Sequence, residues 1–237
     1  MEVADTGVME ETESDRNWTF LKQIYSLLLE LVENQAVEPT LLKSWISTSF
    51  LTRFLDTFNS DNSEEREMLK TILHKMYAKC VMRRKLIRRG FSHSFFELIY
   101  ERAHFNGINE ILEINAAIIA GFAVPLRQEH VLFFNTIIVL LLKVQSYDSF
   151  FNEHLRCAML FVSKQASLGP VFLEGLLKYW PFGNLNKELC FLNTLFELQD
   201  HLNFEEHPLL LVKLFQRIQK CLDSEHIRVV DTTMCLF

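Results

Sequence analysis

The sequence predicts an all-α protein, built as an α-solenoid of antiparallel helix pairs. Apolar residues recur at intervals of three and four along most of the chain, as they do on helices that bury one face. The 237 residues include 7 Gly and 5 Pro, fewer than hairpins and turn-rich sheets need. Pro39, Pro125 and Pro170 lie roughly one or two multiples of 43 residues apart, within the usual length of helix-pair repeats. A compact helical bundle would also fit these patterns.

The helical pattern begins at Trp18, and Leu21, Ile24, Leu28 and Leu31 follow it at intervals of three and four. Ten further segments have the same pattern, near Leu41–Phe58, Glu64–Met82, Phe91–His104, Ile108–Val124, Glu129–Val144, Phe150–Val162, Pro170–Tyr179, Lys187–Leu202, Pro208–Leu222 and His226–Phe237. Turn and capping residues separate several of them, as at Asp61-Asn62-Ser63, Asn106-Gly107, Gly169-Pro170 and Asp223-Ser224. We expect about five to six helix pairs over residues 17–237 and a disordered acidic tail over residues 1–16.

The composition indicates a soluble and well-packed protein. Hydrophobic residues make up 49% of the chain and include 21 Phe, which excludes disorder for most of it. The 5 Cys form no C-x-x-C motif and are odd in number, so reduced thiols in the cytoplasm or nucleus are expected. The longest apolar runs, Val131–Leu142 and Ile118–Leu126, are shorter than the roughly 18–20 residues of a membrane span. We therefore expect no membrane insertion.

Signatures of catalysis are missing from the sequence. It contains no P-loop, G-x-G-x-x-G, G-x-S-x-G or H-E-x-x-H motif. The 8 His are scattered, and none is spaced with a carboxylate or Cys as a metal or nucleophile site requires. We therefore expect no enzyme activity, no catalytic residue, no metal and no cofactor.

One segment differs from the rest of the chain in its charge. Between Met68 and Phe96 there is no Asp or Glu, although the whole chain has a net charge of −6. Eight cations lie in this basic segment: Lys70, Lys75, Lys79, Arg83, Arg84, Lys85, Arg88 and Arg89. The remaining residues therefore carry −14, which is −6 less the +8 of the segment. A solvated helix face is the simpler explanation, but repulsion between cations at i and i+4 favours an anionic ligand.

On an ideal helix the basic segment has two faces. Its core face consists of Leu69, Ile72, Leu73, Met76 and Cys80. A second stripe, about 100° away, consists of Lys70, His74, Tyr77, Val81 and Arg84. Cations beside an aromatic ring suit an extended peptide with acidic and apolar groups. Nucleic acid is a weaker candidate, because the chain has a pI of about 5.8 and no nucleic-acid-binding motif.

Six segments carry a resemblance to a known family. They are REMLKTILHKMYAK, IYERAHFNGINEILEI, IIAGFAVPLRQEH, LLKYWP, KELCFLN and LFQRIQKCLDSEH. In their order and spacing they resemble the B-prime regulatory subunits of protein phosphatase 2A, from about Trp18 to the last residue. The resemblance implies a superhelix of HEAT-like helix pairs without catalytic activity, which joins the phosphatase scaffold and catalytic subunits. It also implies that a groove between successive repeats binds L-x-x-I-x-E motifs of substrate proteins, often more strongly after phosphorylation.

The resemblance assigns peptide binding to Lys70, His74, Lys75, Tyr77, Arg84, Glu113, Ile114, Ile118 and His130. Of these, Lys70, His74 and Arg84 would bind a carboxylate or a phosphate. Lys75 stands where the family has Arg, so it keeps the charge but loses the bidentate fork. Ideal helix geometry also places Lys75 about 140° from the centre of the stripe, so it would reach the groove only if the helix bends.

The other assigned residues would hold the rest of the motif. Ile114 and Ile118, with Tyr77 opposite, would bury its Leu and Ile. Glu113 and His130 would bind the peptide backbone or order the basic residues. From spacing alone, the two isoleucines are core residues.

The sequence ends at VVDTTMCLF, in the middle of the family's array. An array that stops there is expected to expose an apolar face unless another surface covers Met234–Phe237. Motif binding is therefore better supported than assembly of a complete phosphatase. The alternative function is a stand-alone peptide-binding module that does not join the phosphatase.

Overall fold

The computed structural model describes residues 13–101, 104–203 and 205–235, and all regular elements in these ranges are helical. The α-helices are α1 (Glu13–Glu33), α2 (Pro39–Trp45), α3 (Thr48–Asp56), α4 (Ser63–Lys79), α5 (Arg84–Tyr100), α6 (Ile108–Ala120), α7 (Gln128–Phe133), α8 (Val139–Leu141), α9 (Phe151–Lys164), α10 (Leu168–Lys178), α11 (Leu185–Leu198), α12 (Pro208–Leu222) and α13 (Ile227–Met234). A π-helical segment, Phe134–Ile138, connects α7 to α8. The predicted all-α fold is confirmed.

The chain forms two compact units, which divide inside α5: unit 1 ends at Ile87 and unit 2 begins at Arg88. In unit 1, α4 packs along α1. The Trp18 indole and the Lys22 ammonium of α1 donate to the Glu64 carboxylate of α4 at 3.3 and 3.0 Å. The Tyr25 hydroxyl donates to the Glu65 carboxylate at 2.6 Å. The core of this unit includes Val32, Leu42, Ile46, Leu51, Phe58, Leu69, Ile72, Leu73 and Met76.

Helix α4 has the start and the core face that its sequence predicts. The Asn62 side chain accepts hydrogen bonds from the backbone N–H groups of Glu64 and Glu65, which caps the first turn. All five residues of the predicted core face are buried: Leu69, Ile72, Leu73, Met76 and Cys80. The preceding predicted segment is instead split at Ile46 into α2 and α3, because Ser47 caps a new helix by accepting from the Phe50 N–H at 3.1 Å.

Unit 2 consists of helix pairs stacked in two rows. In one row, α6 packs on α9, α9 on α11, and α11 on α13. In the other row, α10 packs on α8 and on α12. First helices thus stack on first helices and second helices on second helices, as in a helix-repeat array.

Aromatic rings form much of the core of unit 2. The fully buried Phe134 ring lies 5.3 Å from that of Phe161 and 5.9 Å from that of Phe172, measured between centroids. Tyr147 and Phe191, also fully buried, continue the core with centroids 5.4 Å apart. Edge-to-face and tilted pairs of this kind add about 0.5–1.5 kcal/mol each beyond the area that they bury.

A buried histidine joins this core to the backbone of the π-helical segment. His154 Nε2 lies 2.7 Å from the Ile138 carbonyl oxygen, and Nδ1 lies 2.9 Å from the Tyr147 hydroxyl. Because a carbonyl can only accept, Nε2 carries the proton and Nδ1 accepts from the tyrosine. This is the neutral imidazole, and burial lowers the pKa of His154 to about 4.

Lysines in both units bind carbonyl oxygens at or just beyond the end of a helix in the preceding repeat. Nζ of Lys79 donates to the Val32 and Asn34 carbonyls (2.8 and 2.6 Å), Nζ of Lys164 to those of Ala120 and Phe122 (3.0 and 2.9 Å), and Nζ of Lys187 to that of Val144 (2.8 Å). We call Lys79, Lys164 and Lys187 the cross-repeat lysines. Each bond spans 42 to 47 residues, which agrees with the repeat length predicted from the prolines. A cation at a helix C-terminus is also favoured by the helix dipole.

The N-terminal boundary differs from the prediction. Helix α1 begins at Glu13, inside the stretch expected to be a disordered tail. Residues 1–12 of that expected tail lie outside the described residues. No helix in the described part of the chain has the length and apolar content needed to span a membrane.

Candidate functional site

Helix α4 does not continue through the whole basic segment. The prediction placed Lys70, His74, Tyr77, Val81 and Arg84 along one helix. In the structure α4 ends at Lys79, and a 3-10 turn over Val81–Arg83 redirects the chain into α5, which begins at Arg84. The expectation of one continuous helical stripe is therefore wrong beyond Tyr77.

Arg84 nevertheless returns to Tyr77 from the other side of this turn. Its Nε donates to the Tyr77 carbonyl at 3.0 Å and an Nη to the Ala78 carbonyl at 3.1 Å, so the guanidinium caps the end of α4. The guanidinium carbon also lies 5.1 Å from the centroid of the Tyr77 ring, within cation–π range. These two hydrogen bonds use two of the five N–H donors of the arginine, which leaves donors for an anion.

The other predicted cations of α4 differ in their surroundings. Lys70 forms an ion pair with Glu67 one turn earlier, at 2.8 Å. The His74 imidazole is exposed. Lys75 forms an ion pair with Glu33 of α1 at 2.6 Å. The structure thus places Lys75 apart from the stripe, as ideal helix geometry indicates.

Much of the remaining charge of the basic segment has structural partners. Lys79 binds the end of α1, and Arg83 donates to the Lys43 carbonyl at 3.1 and 2.7 Å, at the end of α2. Lys85 and Arg89 are exposed. Part of the charge excess therefore serves to cap helices, and Lys85 and Arg89 lie at the surface.

On α6, the predicted apolar residues lie mostly in the core. Ile114 is 2% exposed and Ile118 is 7% exposed, as their spacing alone indicates. Glu113 is half-buried, and Ala117 and Ala120 are exposed on the same helix. The two isoleucines thus offer little surface to a ligand, and Ile118 offers more than Ile114.

His130, on α7, is held by an aromatic ring. It stacks on Phe122 with ring centroids 3.6 Å apart and planes at 2°. Its Nε2 lies 3.6 Å from a Glu129 carboxylate oxygen, and Arg88 approaches the same oxygen at 3.6 Å. Nδ1 is buried and has no hydrogen-bond partner among the described residues. Burial lowers the pKa of His130, although Glu129 opposes this shift.

Sequence reasoning missed the partners that orient these side chains. Phe122 stacks on His130 from eight residues away, and Glu33 binds Lys75 from a different helix. Phe122 lies in the connection between α6 and α7, and Glu33 lies on α1, so the periodicity of a single helix could not reveal either contact. No group of three or more His, Cys, Asp or Glu side chains within the described ranges could hold a metal ion.

Stacked helix pairs with a cationic surface on α4 and α5 are typical of repeat proteins that bind other proteins. The profile of the family described as "Protein phosphatase 2A regulatory B subunit (B56 family)" matches residues 2–237. The chain belongs to this family. The resemblance inferred from the six sequence segments is therefore confirmed.

Curated relatives support the same assignment. The chain is 35% identical over 223 residues to the B′ kappa isoform of the 57 kDa regulatory subunit of serine/threonine protein phosphatase 2A from Arabidopsis thaliana, covering 94% of this chain and 45% of that protein. It is 37% identical over 217 residues to the delta isoform of the 56 kDa regulatory subunit from Homo sapiens, covering 92% of this chain and 36% of that protein. The chain spans less than half the length of these relatives. Their description as regulatory subunits agrees with the expectation of a regulatory and not a catalytic role.

Proposed function

We propose that this chain acts as a non-catalytic regulatory subunit of protein phosphatase 2A, in the cytoplasm or nucleus, and recruits substrates that carry L-x-x-I-x-E motifs. The match to the B56 family is the observation that supports a regulatory role. The association with the scaffold and catalytic subunits is part of the same proposal. Motif binding is supported by the chemistry of the side chains on α4, α5 and α6.

Arg84 is the residue that we assign first to the acidic end of the motif. Its guanidinium is held by two backbone carbonyls and the Tyr77 ring, so little rotamer entropy is lost when an anion binds. Lys70 and His74 lie on the preceding helix, two turns and one turn before Tyr77. Charge-assisted hydrogen bonds from such groups recognise carboxylates, and phosphates more strongly because they carry more charge.

The apolar part of the motif is assigned to α6 in unit 2. Ile118 is the better exposed of the two predicted isoleucines. A leucine or isoleucine side chain of the motif would gain up to about 1.5–3 kcal/mol if it were fully buried. Partial burial on this surface gives less, so the cations are expected to dominate the affinity.

Titration of a fluorescent L-x-x-I-x-E peptide tests this proposal. We expect binding that a phosphoserine in the peptide strengthens and that Arg84→Glu weakens by at least about tenfold. Lys85→Glu is the matched control, because Lys85 is exposed, adjacent and of the same charge, and it should bind almost as the wild type does. His74→Glu checks the assignment without disturbing a helix cap, since His74 is exposed. Equal binding by the wild type, Arg84→Glu and His74→Glu would reject the motif site.

Assembly with the phosphatase needs a separate measurement. Pull-down of the purified scaffold and catalytic subunits on the immobilised chain distinguishes a member of the phosphatase complex from a stand-alone peptide-binding module. A stable trimer supports membership of the complex. Peptide binding without a trimer supports the module, because the groove would then act alone.

A further inference from the structure

A cavity of about 750 Å³ lies in unit 2, among the π-helical segment, α8, α10 and α12. Its lining includes four cations and one carboxylate: Lys178, Lys213, Arg217, Lys220 and Glu174. None of the nine residues assigned to the motif lines it. Its volume is in the range of specific ligand sites. The cavity and its charge are unexpected in a chain with a net charge of −6.

The four cations have few internal partners. No carboxylate in the described part of the chain forms an ion pair with them, Glu174 included. Arg217 is instead held between two rings, since its guanidinium carbon lies 5.3 Å from the Trp180 ring and 5.4 Å from the Phe182 ring. Cation–π contacts of this kind orient the guanidinium without neutralising it. The positive charge is therefore available to an external anion.

The arrangement of the cations suits an extended ligand. Lys213, Arg217 and Lys220 lie on one face of α12 over two turns, a length of about 10 Å. A single phosphate is too small to contact charges spread over this distance, whereas three to four residues of extended peptide match it. Asn135 and Gln216, also in the lining, can pair with the C=O and N–H groups of a peptide backbone.

One side of the cavity is apolar and closely packed. Val139, Leu140 and Val171 line it. Gly175 lets α10 approach this wall, because a Cβ atom at this position would lie 2.6 Å from Val139 Cγ1. A wall fixed by such close packing can receive an apolar side chain with little rearrangement.

We propose that this cavity is a second peptide-docking site, which binds an extended segment of a partner protein with an apolar side chain between acidic residues. The acidic residues would contact the cations of α12 and Lys178, and the apolar side chain would contact Val139 and Val171. This site goes beyond the proposed motif site, since it uses other residues and can exist whether or not that site binds. Regulatory subunits with two such sites could hold one partner at two points and gain affinity through effective concentration.

Fluorescence anisotropy with the whole chain tests the proposal. The probe is a labelled peptide that alternates pairs of acidic residues with phenylalanine and contains no Leu or Ile, so that it lacks the L-x-x-I-x-E motif. We expect binding at low salt that weakens at physiological salt. Lys213→Glu should weaken it at least about tenfold, because the new carboxylate repels the probe. Lys213 is exposed, so this substitution is compatible with the fold.

The controls separate this site from its alternatives. Arg228→Glu on α13 makes the same charge change at an exposed position outside the cavity and should leave binding almost unchanged. Arg84→Glu should also leave it unchanged, even if that variant loses the L-x-x-I-x-E peptide. Equal losses for Lys213→Glu and Arg228→Glu, or no binding by the folded wild type, would overturn the proposal. Tighter binding of inositol hexakisphosphate or an oligonucleotide than of the peptide would overturn its assignment to a peptide.

Discussion

In both units, a hydrogen bond from a lysine ammonium to a carbonyl at the end of an earlier helix connects consecutive repeats. The lysines of the two units differ in their burial. Lys79 of unit 1 is half-buried and donates to two carbonyls. Lys187 of unit 2 is 2% exposed, donates to one carbonyl, and lies over the Tyr147 and Phe191 rings. Burial lowers the pKa of Lys187 to about 8. The lysine-to-carbonyl hydrogen bond is thus near the surface in unit 1 and part of the core in unit 2.

The aromatic core of unit 2 contrasts with the first helix of unit 1. Unit 2 buries interlocking aromatic rings around Phe161, whereas the first helix of unit 1 leaves large apolar side chains exposed. Phe20 and Leu27 of α1 are 64% and 65% exposed. We infer that the aromatic core around Phe161 contributes more to the free energy of unfolding than the exposed apolar side chains of α1 do. Three predictions test this contrast.

The largest expected effect is the loss of an aromatic ring from the core of unit 2. The Phe161 ring is fully buried and lies 5.3 to 6.2 Å from the rings of Phe122, Phe133 and Phe134. Phe161→Ala should lower the free energy of unfolding by about 3–5 kcal/mol, because it leaves a cavity among these rings. Urea unfolding followed by circular dichroism measures the change.

Phe20→Ala in unit 1 is the matched control for this substitution. Because the Phe20 side chain is largely exposed, its removal should change the free energy of unfolding by less than about 0.5 kcal/mol. If the two substitutions cost the same, the contrast between the aromatic core around Phe161 and the exposed side chains of α1 would be wrong.

The second prediction concerns acid. In the folded state His154 takes up a proton only near its pKa of about 4, whereas in the unfolded chain it does so near 6.5. Between these values the unfolded state binds more protons, so this stability is complete above pH 6.5 and is lost as the pH falls towards 4. The loss at the acid end should be about 3 kcal/mol. Unfolding in urea across this pH range measures it.

Two variants identify the source of that acid sensitivity. His154→Gln keeps a polar side chain but cannot titrate, so the slope of stability against pH should become shallower. Gln23→Ala, at an exposed and non-titrating position of unit 1, should leave the wild-type slope unchanged. The assignment to His154 fails if both variants keep that slope.

The sequence predicted those features of the helices that depend on residues close together in the chain. The core face of α4 and its start at Asn62 follow from apolar spacing and from capping chemistry, and the structure has both. The end of α4 was missed, because no Gly or Pro marks it. Arg84 stabilises the end of α4 through the Tyr77 carbonyl, and Lys79 stabilises the end of α1 through the Val32 carbonyl. These contacts form only when the chain folds.

The candidate site shows the same limit. Charge and spacing singled out Lys70, His74 and Tyr77, and family resemblance added Ile114 and Ile118. Spacing alone indicated that the two isoleucines are core residues, and the structure agrees, whereas the resemblance assigned them to the groove without showing how little of their surface is exposed. The capping of helices by Lys79 and Arg83 was also hidden, since the bonded residues are 40 to 47 positions apart. The peptide-binding roles of all nine residues stay predictions.

The smallest expected effect compares two of the cross-repeat lysines directly. Lys187→Ala should cost about 2–3 kcal/mol, because it leaves the Val144 carbonyl without its donor inside the core and removes the stem from the Tyr147 and Phe191 rings. Lys79→Ala should cost about 1 kcal/mol, since water can replace the ammonium at a half-buried helix end. Lys187→Met separates the two contributions, because it keeps the stem and removes only the hydrogen bond. The measurement is again the urea midpoint, and equal losses for Lys79→Ala and Lys187→Ala would show that burial does not set the strength of this bond.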